Sequence, residues 1–386
     1  MQNELLGKLF QENKNVIVEG SVNSGKTMNV LFPIVDSIIE RKESLVVLDS
    51  KEEYLNKYYE KFYENDYNTV VINLRDPSSS EGWNPLQYPY ELFKSGDSDN
   101  AQAEIDRIGK TIFYDKKVLD LFWTDSAKDL FTGMCLGLFE DGTKEEINLN
   151  SINNMFNSIG KKFNDTTVDK AYFTSKRENS ASYVFASSTI LAPTETKGGI
   201  LATAKQKLRL YVSRENLSKV LSNTTFDIKD IVNKPTAIII IGKDEEKSFV
   251  NDIVSMFISQ IYSILVQLRS DSKVNIVLDN IDSLNNFDSL VDILSSSISR
   301  NVKTYVVTRS LNDLAFKYGN SINYLSDLVK ISNNEVTLNG NKVDYDIDKK
   351  SKGIVSSKKV IINPSKLIND EIKLFDLENF VTNKKQ

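Results

Sequence analysis

The sequence predicts an α/β protein with a mostly parallel central β-sheet and an inserted all-helical domain. Short apolar runs rich in Val and Ile alternate with amphipathic stretches before residue 89 and again after residue 196, the pattern of strand–helix–strand units. Between residues 90 and 195 apolar residues recur at helical spacing, and no stretch makes a convincing strand. A glycine-rich loop joins the first strand to the first helix.

That loop lies in NVIVEGSVNSGKT, residues 15–27, and is the strongest functional signal. A β-branched strand precedes it and helically spaced apolar residues follow it. The residues that match G-x-x-x-x-G-K-[ST] are Gly20, Ser21, Val22, Asn23, Ser24, Gly25, Lys26 and Thr27. Such a loop turns backbone N–H groups toward phosphate, while Lys26 reaches the β- and γ-phosphates and Thr27 binds Mg²⁺. A chance Gly/Ser loop with a surface lysine fits this context less well, so the sequence predicts a site for ATP and Mg²⁺.

Composition limits the classes of function. Of the 386 residues, 40% are hydrophobic and 26% are charged, as in ordinary globular proteins. The net charge of −5 gives no overall basic field, so any DNA contact must be local. The lack of histidine excludes histidine bases and histidine metal ligands, and the single Cys135 excludes an intrachain disulfide. No apolar run approaches 18 residues and no signal-peptide pattern opens the chain, so we expect a cytosolic chain.

The predicted domains follow from where the pattern changes. A nucleotide-binding domain occupies residues 1–89 and 196–334, the all-helical insertion occupies 90–195, and a C-terminal hairpin and tail occupy 335–386. After the first strand, strands are predicted at residues 45–48, 69–74, 235–242, 274–279, 304–308 and 328–331.

Two smaller predictions concern the insertion and the C-terminal part. We expect Phe122 and Trp123 to be core residues of the insertion rather than a platform for stacking bases. Asn339-Gly340 lies between two short apolar runs and predicts a type I′ hairpin. The lysine-rich remainder of the chain is expected to be a loosely packed tail.

A phosphate loop needs an acidic partner at a neighbouring strand end to hold Mg²⁺. Asp279 ends the apolar run VNIVL and is the best candidate, holding the metal through water; the alternative is a helix cap. The next residue is Asn280, whose amide orients a water but does not accept its proton. Asp282 is the candidate for that role. Asp49 and Lys51 end the strand 45–48 and either support the site or cap the next helix.

Several motifs in a fixed order resemble those of the type IV coupling proteins, TraG-like conjugative DNA-transfer ATPases. After the phosphate loop they are LDSKEEY, GWNPL, FWTDSA, KPTAIIIIG, LDNIDSL and SRNV, at residues 48–54, 82–86, 122–127, 234–242, 278–284 and 299–302. The resemblance covers about residues 15–330. It implies a RecA-like nucleotide-binding domain with an inserted all-helical domain, and a hexameric ring that threads single-stranded DNA or a nucleoprotein substrate.

The resemblance also assigns roles and exposes departures. The family carries Glu at the position of Asn280 and Gln at that of Arg309. Arg300 corresponds to an arginine near subunit boundaries, where an arginine finger would act; an arginine favoured by a helix C-terminus is the alternative. Lys205 and Arg209 lie four residues apart and either contact a DNA backbone or form a solvated helix face.

The implied function is an ATP-binding coupling protein that pumps or recruits DNA to a conjugation or type IV secretion apparatus. Its partners would be single-stranded DNA or a relaxase–DNA complex, secretion-channel proteins and further copies of the chain, forming a hexamer when active. The family usually has N-terminal transmembrane helices, whereas 14 residues precede the first strand here. We therefore expect a cytoplasmic chain that reaches the inner face of the membrane only through partners or a missing segment. The alternatives are a non-hydrolysing nucleotide-binding adaptor, favoured by Asn280, and a cytosolic DNA-translocating motor.

Overall fold

The computed structural model describes residues 7–9, 13–114, 120–242, 249–284, 287–332, 335–343, 360 and 371–384. These residues fall into two units: Met1–Ser80 with Asp227–Asn363, and Glu81–Phe226 with Pro364–Gln386. The domain boundary that we expected at residue 195 falls inside the helix Thr194–Val212. Residues 196–226 belong to the helical unit, not to the nucleotide-binding domain as predicted. The predicted boundary would divide a single continuous helix between the two units.

The strands, in chain order, are β1 (Asn15–Gly20), β2 (Ser44–Asp49), β3 (Asn68–Asn73), β4 (Lys162–Phe163), β5 (Thr166–Thr167), β6 (Thr236–Ile241), β7 (Val274–Leu278), β8 (Val302–Thr308), β9 (Ser326–Ser332), β10 (Glu335–Leu338) and β11 (Asn341–Val343). The helices are α1 (Phe32–Glu40), α2 (Glu53–Glu64), α3 (Gln87–Lys94), α4 (Ser98–Phe113), α5 (Phe122–Asp141), α6 (Leu149–Ser158), α7 (Val168–Thr174), α8 (Ala181–Ile190), α9 (Thr194–Val212), α10 (Glu215–Val220), α11 (Asp230–Asn233), α12 (Phe249–Leu268), α13 (Ser289–Ser296), α14 (Leu311–Tyr318) and α15 (Leu377–Asn383).

The first unit is built on one nine-stranded sheet in the order β11-β10-β9-β1-β8-β7-β2-β6-β3. The strands from β9 to β3 run parallel, and the antiparallel pairings of this sheet are those of β10 with β9 and with β11. Strands β2, β6 and β7 are buried along their whole length. Continuous Val, Leu and Ile runs form these strands because a parallel sheet is covered on both faces.

Helix α12 belongs to the core of this unit. Among the described residues it alone is long and apolar enough to cross a membrane by length and composition. It is mostly buried, as the core helix of a globular unit is.

The register of the sheet decides which residues meet. Glu19 of β1 lies opposite Thr308 of β8, and Leu278 of β7 lies opposite Val306 of β8 and Leu48 of β2. The carboxyl ends of β1, β8, β7 and β2 therefore lie side by side at one edge. In parallel α/β sheets this is the edge that binds ligands.

The C-terminal part differs from the expected tail. The β10–β11 hairpin is confirmed, with φ of 50° at Asn339 and 83° at Gly340, as a type I′ turn requires. Residues 344–359, 361–370 and 385–386 of the predicted tail lie outside the described residues. Residues 371–384 instead belong to the helical unit, where the side chains of Phe375, Leu377 and Val381 are buried.

In the described part of the second unit, the regular elements other than the two-residue strands β4 and β5 are helices. Helices α5 and α8 pack so closely that a Cβ at Gly133 would lie 2.7 Å from the backbone nitrogen of Ala186. Phe122 and Trp123, expected in the core, are 50% and 38% exposed. Both lie in the first turn of α5, and Trp123 packs against Gly199.

Candidate nucleotide site

The phosphate loop follows β1 at the carboxyl edge of the sheet. The Lys26 Nζ donates hydrogen bonds to the carbonyl oxygens of Gly20, at 2.5 Å, and Ser21, at 2.7 Å. Gly25 has φ of 85°, and a Cβ there would lie 2.4 Å from the Asn29 side chain. A Cβ at Gly20 would lie 2.5 Å from the Ser24 hydroxyl. Both motif glycines are thus required by the shape of the loop.

Two features of the loop fit an anion. The Ser24 hydroxyl is buried and has no hydrogen-bond partner among the described residues. Burial lowers the pKa of Lys26, and the nearby charges of Arg309 and Lys51 lower it further, although two acidic side chains oppose them. An orphaned hydroxyl and three clustered cations suit the oxygens of a phosphate chain.

Asp279 lies beside Thr27, where the sequence predicts the metal site. The Thr27 hydroxyl donates to the Asp279 Oδ2 at 2.8 Å, and the Tyr54 hydroxyl donates to the same oxygen at 3.0 Å. Burial raises the pKa of Asp279, against the two hydroxyl hydrogen bonds and the charge of Lys26. No group of three or more acidic or cysteine side chains that could hold a metal occurs in the described residues. One hydroxyl with one carboxylate is the sparse donor set that suits Mg²⁺, which keeps several waters and binds phosphate oxygens.

Asn280 adopts a left-handed conformation, with φ of 71° and ψ of 55°. The backbone carbonyl oxygen of Asn280 accepts two hydrogen bonds from Ser283, one from its backbone N–H at 3.1 Å and one from its side-chain hydroxyl at 2.8 Å. Asparagine tolerates this conformation better than most residues. The turn that follows carries Asp282 toward the end of β8.

Asp282 is engaged through both carboxylate oxygens. Its Oδ1 accepts from the Thr308 hydroxyl at 2.7 Å, and its Oδ2 accepts from the Arg309 backbone N–H at 2.8 Å and the Arg309 Nε at 3.3 Å. These contacts favour a role in fixing the end of β8 over the predicted role as a base.

Asp49 caps α2. Its carboxylate accepts from the backbone N–H groups of Lys51 at 3.3 Å, Glu53 at 2.9 Å and Leu55 at 2.9 Å. Burial nevertheless raises the pKa of Asp49 to about 7. Of the two alternatives for Asp49, the geometry supports capping, while Lys51 contributes charge at the phosphate loop.

Sequence reasoning missed Tyr54 and Glu53. Their approach to Asp279 depends on β2 being the sheet neighbour of β7, which the chain order does not reveal. A usable signal was present, because an aspartate directly follows a continuous apolar run in both segments, Asp49 at the end of β2 and Asp279 just after β7.

Three other predicted residues are not part of this cluster. Arg300 is exposed and precedes β8, so it lies at the amino edge of the sheet, on the order of 20 Å from the phosphate loop by strand rise. Lys205 and Arg209 lie on α9 in the helical unit. Burial lowers the pKa of Lys205, as does the charge of Lys161, whereas Arg209 is exposed.

Solved structures of conjugative coupling proteins share the fold. TrwBdeltaN70 in complex with sulphate matches with a TM-score of 0.58 and 15% identity, over 83% of this chain and 71% of that chain. TrwB with the ATP analogue ADPNP matches with a TM-score of 0.57 and 16% identity, over 82% and 70%. TrwB with ADP and Mg²⁺ matches with a TM-score of 0.58 and 14% identity, over 86% and 78%. The likeness confirms the predicted RecA-like P-loop fold.

The family comparison covers most of the chain. No curated protein sequence matches it significantly. The family model described as type IV secretory system conjugative DNA transfer matches residues 3–335. This chain therefore belongs to the type IV coupling protein family of conjugative DNA transfer.

Proposed function

We propose that this protein is an ATP-binding coupling protein that pumps or recruits DNA, or a nucleoprotein substrate, to a conjugation or type IV secretion apparatus. The observation that carries the proposal is the meeting of Lys26, Thr27 and Asp279 at one edge of the sheet. The backbone N–H groups of residues 21–26 and the Lys26 ammonium would bind the phosphates of ATP. Thr27 would bind Mg²⁺ directly and Asp279 would bind it through water. The TrwB structures with ADPNP and with ADP and Mg²⁺ support this choice of ligands.

The position of Arg300 limits how it could act. It lies at the opposite sheet edge from the phosphate loop of its own chain, so a catalytic role requires another subunit. We propose a hexamer as the active form, in which Arg300 contacts the nucleotide of a neighbour. Its place at the end of the short helix Ile298–Arg300 keeps the alternative of a helix-terminal charge.

The helical unit would supply the DNA contacts. Arg209 and Lys205 are on one face of α9, and we propose that they meet the backbone of single-stranded DNA or of a relaxase–DNA complex. The cellular place that suits this function is the cytoplasm, at the inner face of the membrane, where secretion-channel proteins would recruit the chain.

Phosphate release from ATP, with and without single-stranded DNA, tests the proposal. We expect release that DNA stimulates in the wild type and that Lys26→Ala abolishes. Release that DNA leaves unchanged would contradict the pumping function. Arg300→Ala should lose turnover while retaining nucleotide binding, and mixing it with a Lys26→Ala chain should restore part of the turnover if Arg300 acts across subunits.

A second candidate is an adaptor that binds ATP without hydrolysing it, and Asn280 favours it. Tight ATP binding by the wild type with no phosphate release at any DNA concentration would support the adaptor. Turnover gained by Asn280→Glu would then show that only the base is missing. Because glutamate in a left-handed conformation costs about 1–2 kcal/mol, the melting temperature of this variant must be measured alongside.

A further inference from the structure

We propose that Glu53 is the carboxylate that takes the proton from the attacking water during ATP hydrolysis, a step for which Asn280 lacks the chemistry. This inference rests on the proposed function, because it assigns a residue to that hydrolysis. Glu53 is the first residue of α2 and follows β2 at the carboxyl edge of the sheet. What carries the proposal is the position of this helix start beside Asp279.

The sheet brings the two segments together. β2 and β7 are neighbouring parallel strands, with Leu48 opposite Leu278. Asp49 and Asp279, the next residues, therefore leave the sheet side by side.

Two hydrogen bonds then fix the start of α2 next to Asp279. The Asp49 carboxylate accepts from the backbone N–H of Glu53 at 2.9 Å. The Tyr54 hydroxyl donates to Asp279 at 3.0 Å. Glu53 lies between these anchors in the chain, so its side chain starts from a fixed backbone next to the predicted metal ligand.

The charges around Glu53 agree with this position. Its side chain is partly buried, and burial raises its pKa. The charge of Asp279 raises that pKa further, while the charge of Lys51 lowers it. Glu53 is thus within electrostatic reach of the two groups that border the phosphate loop.

Glu53 also differs from Asp49, Asp282 and Glu19 at this edge in the hydrogen bonding of its carboxylate oxygens. Among the described residues, none hydrogen-bonds its carboxylate oxygens. In contrast, both oxygens of Asp49 and Asp282 accept hydrogen bonds. Glu19 accepts from the Leu311 N–H at 3.2 Å and pairs with Lys330 at 3.2 Å. A general base must be free to accept a proton from water, and Glu53 meets that condition.

The step balances without any further reactant. The water oxygen forms a bond to the γ-phosphorus as the bond from that phosphorus to the β,γ-bridging oxygen breaks. The electron pair of the broken bond stays on the bridging oxygen, which leaves as part of ADP. One water proton passes to the Glu53 carboxylate and from there to bulk water or phosphate.

The test compares Glu53→Gln with Glu52→Gln in the 386-residue chain. Glu52 is the matched control because it is the adjacent, similarly buried carboxylate, and its carboxylate oxygen lies 4.0 Å from the Arg75 guanidinium. We expect Glu53→Gln to lower kcat about 100-fold or more, the usual range for a lost general base. Binding of a fluorescent ATP analogue with Mg²⁺ should change less than threefold, and Glu52→Gln should keep kcat within threefold.

Two further readouts separate catalysis from structure. If Glu53 only stabilised the first turn of α2 by its negative charge, Glu53→Gln would lower the melting temperature and leave kcat unchanged, which would overturn the proposal. In Glu53→Gln combined with Asn280→Glu, turnover should return because a carboxylate is again present beside Asp279. Full turnover by Glu53→Gln would refute the assignment and leave the proposed function intact. Nucleotide binding with no turnover by the wild type would refute both the assignment of Glu53 and the pumping function, and would support the adaptor.

Discussion

At the scale of single residues, the oxygen of Asp279 that receives two hydroxyl groups is the most sharply defined feature of the site. The Thr27 hydroxyl links it to the phosphate loop and the Tyr54 hydroxyl links it to α2. Tyr54 is buried and packs edge-on against Phe32 with ring centroids 5.3 Å apart, so its hydroxyl is held in place. We infer that Tyr54 positions Asp279 without contacting nucleotide itself.

This role predicts the behaviour of Tyr54→Phe. Loss of one hydrogen bond should destabilise the first unit by about 1 kcal/mol and loosen Asp279, so turnover should need about three to ten times more Mg²⁺. A Mg²⁺ titration of phosphate release measures this shift. Tyr58→Phe is the control, because the Tyr58 hydroxyl donates to the Phe32 carbonyl oxygen at 2.9 Å and does not contact Asp279. Equal Mg²⁺ dependence in the two variants would contradict the positioning role.

Asp49 predicts a dependence of stability on pH. Its pKa is about 7 in the folded chain and near 3.8 when exposed. Because the folded state keeps a proton that the unfolded state releases, the contribution of Asp49 is fully present below about pH 4 and is lost as the pH rises to about 7. The loss amounts to about 4 kcal/mol at most.

Calorimetric unfolding of the wild type and Asp49→Asn between pH 4 and pH 8 measures this difference. The transition to follow is the one that nucleotide shifts to higher temperature. The free energy of unfolding of the wild type should exceed that of Asp49→Asn most at pH 4, and the difference should decrease toward pH 8. Parallel curves for the two chains would show that the three backbone N–H groups keep Asp49 ionised.

At the scale of elements, the sequence predicted the strands well and their neighbours poorly. Continuous apolar runs identified β2, β6, β7 and β8, because a strand buried on both faces has no polar positions. The phosphate loop and Asp279 followed from those runs. The pairing of β2 with β7 did not, since a parallel sheet is ordered by crossovers that local sequence does not encode. Glu53 and Tyr54 remained hidden for that reason.

The insertion shows the same limit. Its helical spacing predicts the helices, but the far boundary predicted at residue 195 falls inside α9, whereas the helical unit continues to Phe226, beyond α10. Apolar residues of α9 look alike whether they pack on helices or on a sheet, so periodicity alone did not assign the helix to a unit. The C-terminal α15 was missed because it is a short helix whose Glu378 and Phe380 contact residues more than 200 positions earlier, Ser158 and Tyr172.

Within the helical unit, Lys176 joins two helices through buried charge. Its side chain is 7% exposed, its Nζ lies 2.6 Å from a Glu140 carboxylate oxygen, and it also pairs with Asp141 and lies over the Tyr172 ring. Lys176→Ala would leave two poorly solvated carboxylates without a counter-charge. We expect it to destabilise this unit by about 3–5 kcal/mol.

Tryptophan fluorescence follows that unfolding, since both tryptophans, Trp83 and Trp123, belong to the helical unit. Lys110→Ala serves as the control, because Lys110 is 65% exposed and pairs with Asp106 at the surface. Its effect should stay below about 1 kcal/mol. An equal decrease in the free energy of unfolding in the two variants would contradict a special role for the buried charge of Lys176.

At the scale of the whole molecule, the chain leaves the sheet unit at Ser80, returns at Asp227 and supplies the helical unit again near its end. The C-terminal segment, residues 371–384, is held to the helical unit through its backbone. The Asn148 and Asn154 side chains donate to the carbonyl oxygens of Lys373 and Phe375, each at 2.9 Å. The helical unit is therefore assembled from two distant parts of the sequence.

A chain that ends at residue 363 tests this assembly. Loss of the buried side chains of Phe375, Leu377 and Val381 should cost the helical unit on the order of 5 kcal/mol. Tryptophan fluorescence should then report unfolding at a lower temperature or denaturant concentration, while nucleotide binding by the sheet unit is retained. Unchanged fluorescence unfolding would show that α15 adds nothing to the unit.

The position of β1 in the sheet also determines when this strand can pair during synthesis of the chain. Its two neighbours, β8 and β9, begin at Val302 and Ser326, whereas β1 ends at Gly20 and so leaves the ribosome long before them. At 5–20 residues per second, this apolar strand waits roughly 15–60 s for its partners. Strands β2, β3, β6 and β7 emerge earlier and pair without it. A nascent chain thus gains the ability to bind nucleotide only after β8 and β9 have left the ribosome, and until then β1 is an exposed apolar segment that a chaperone can bind.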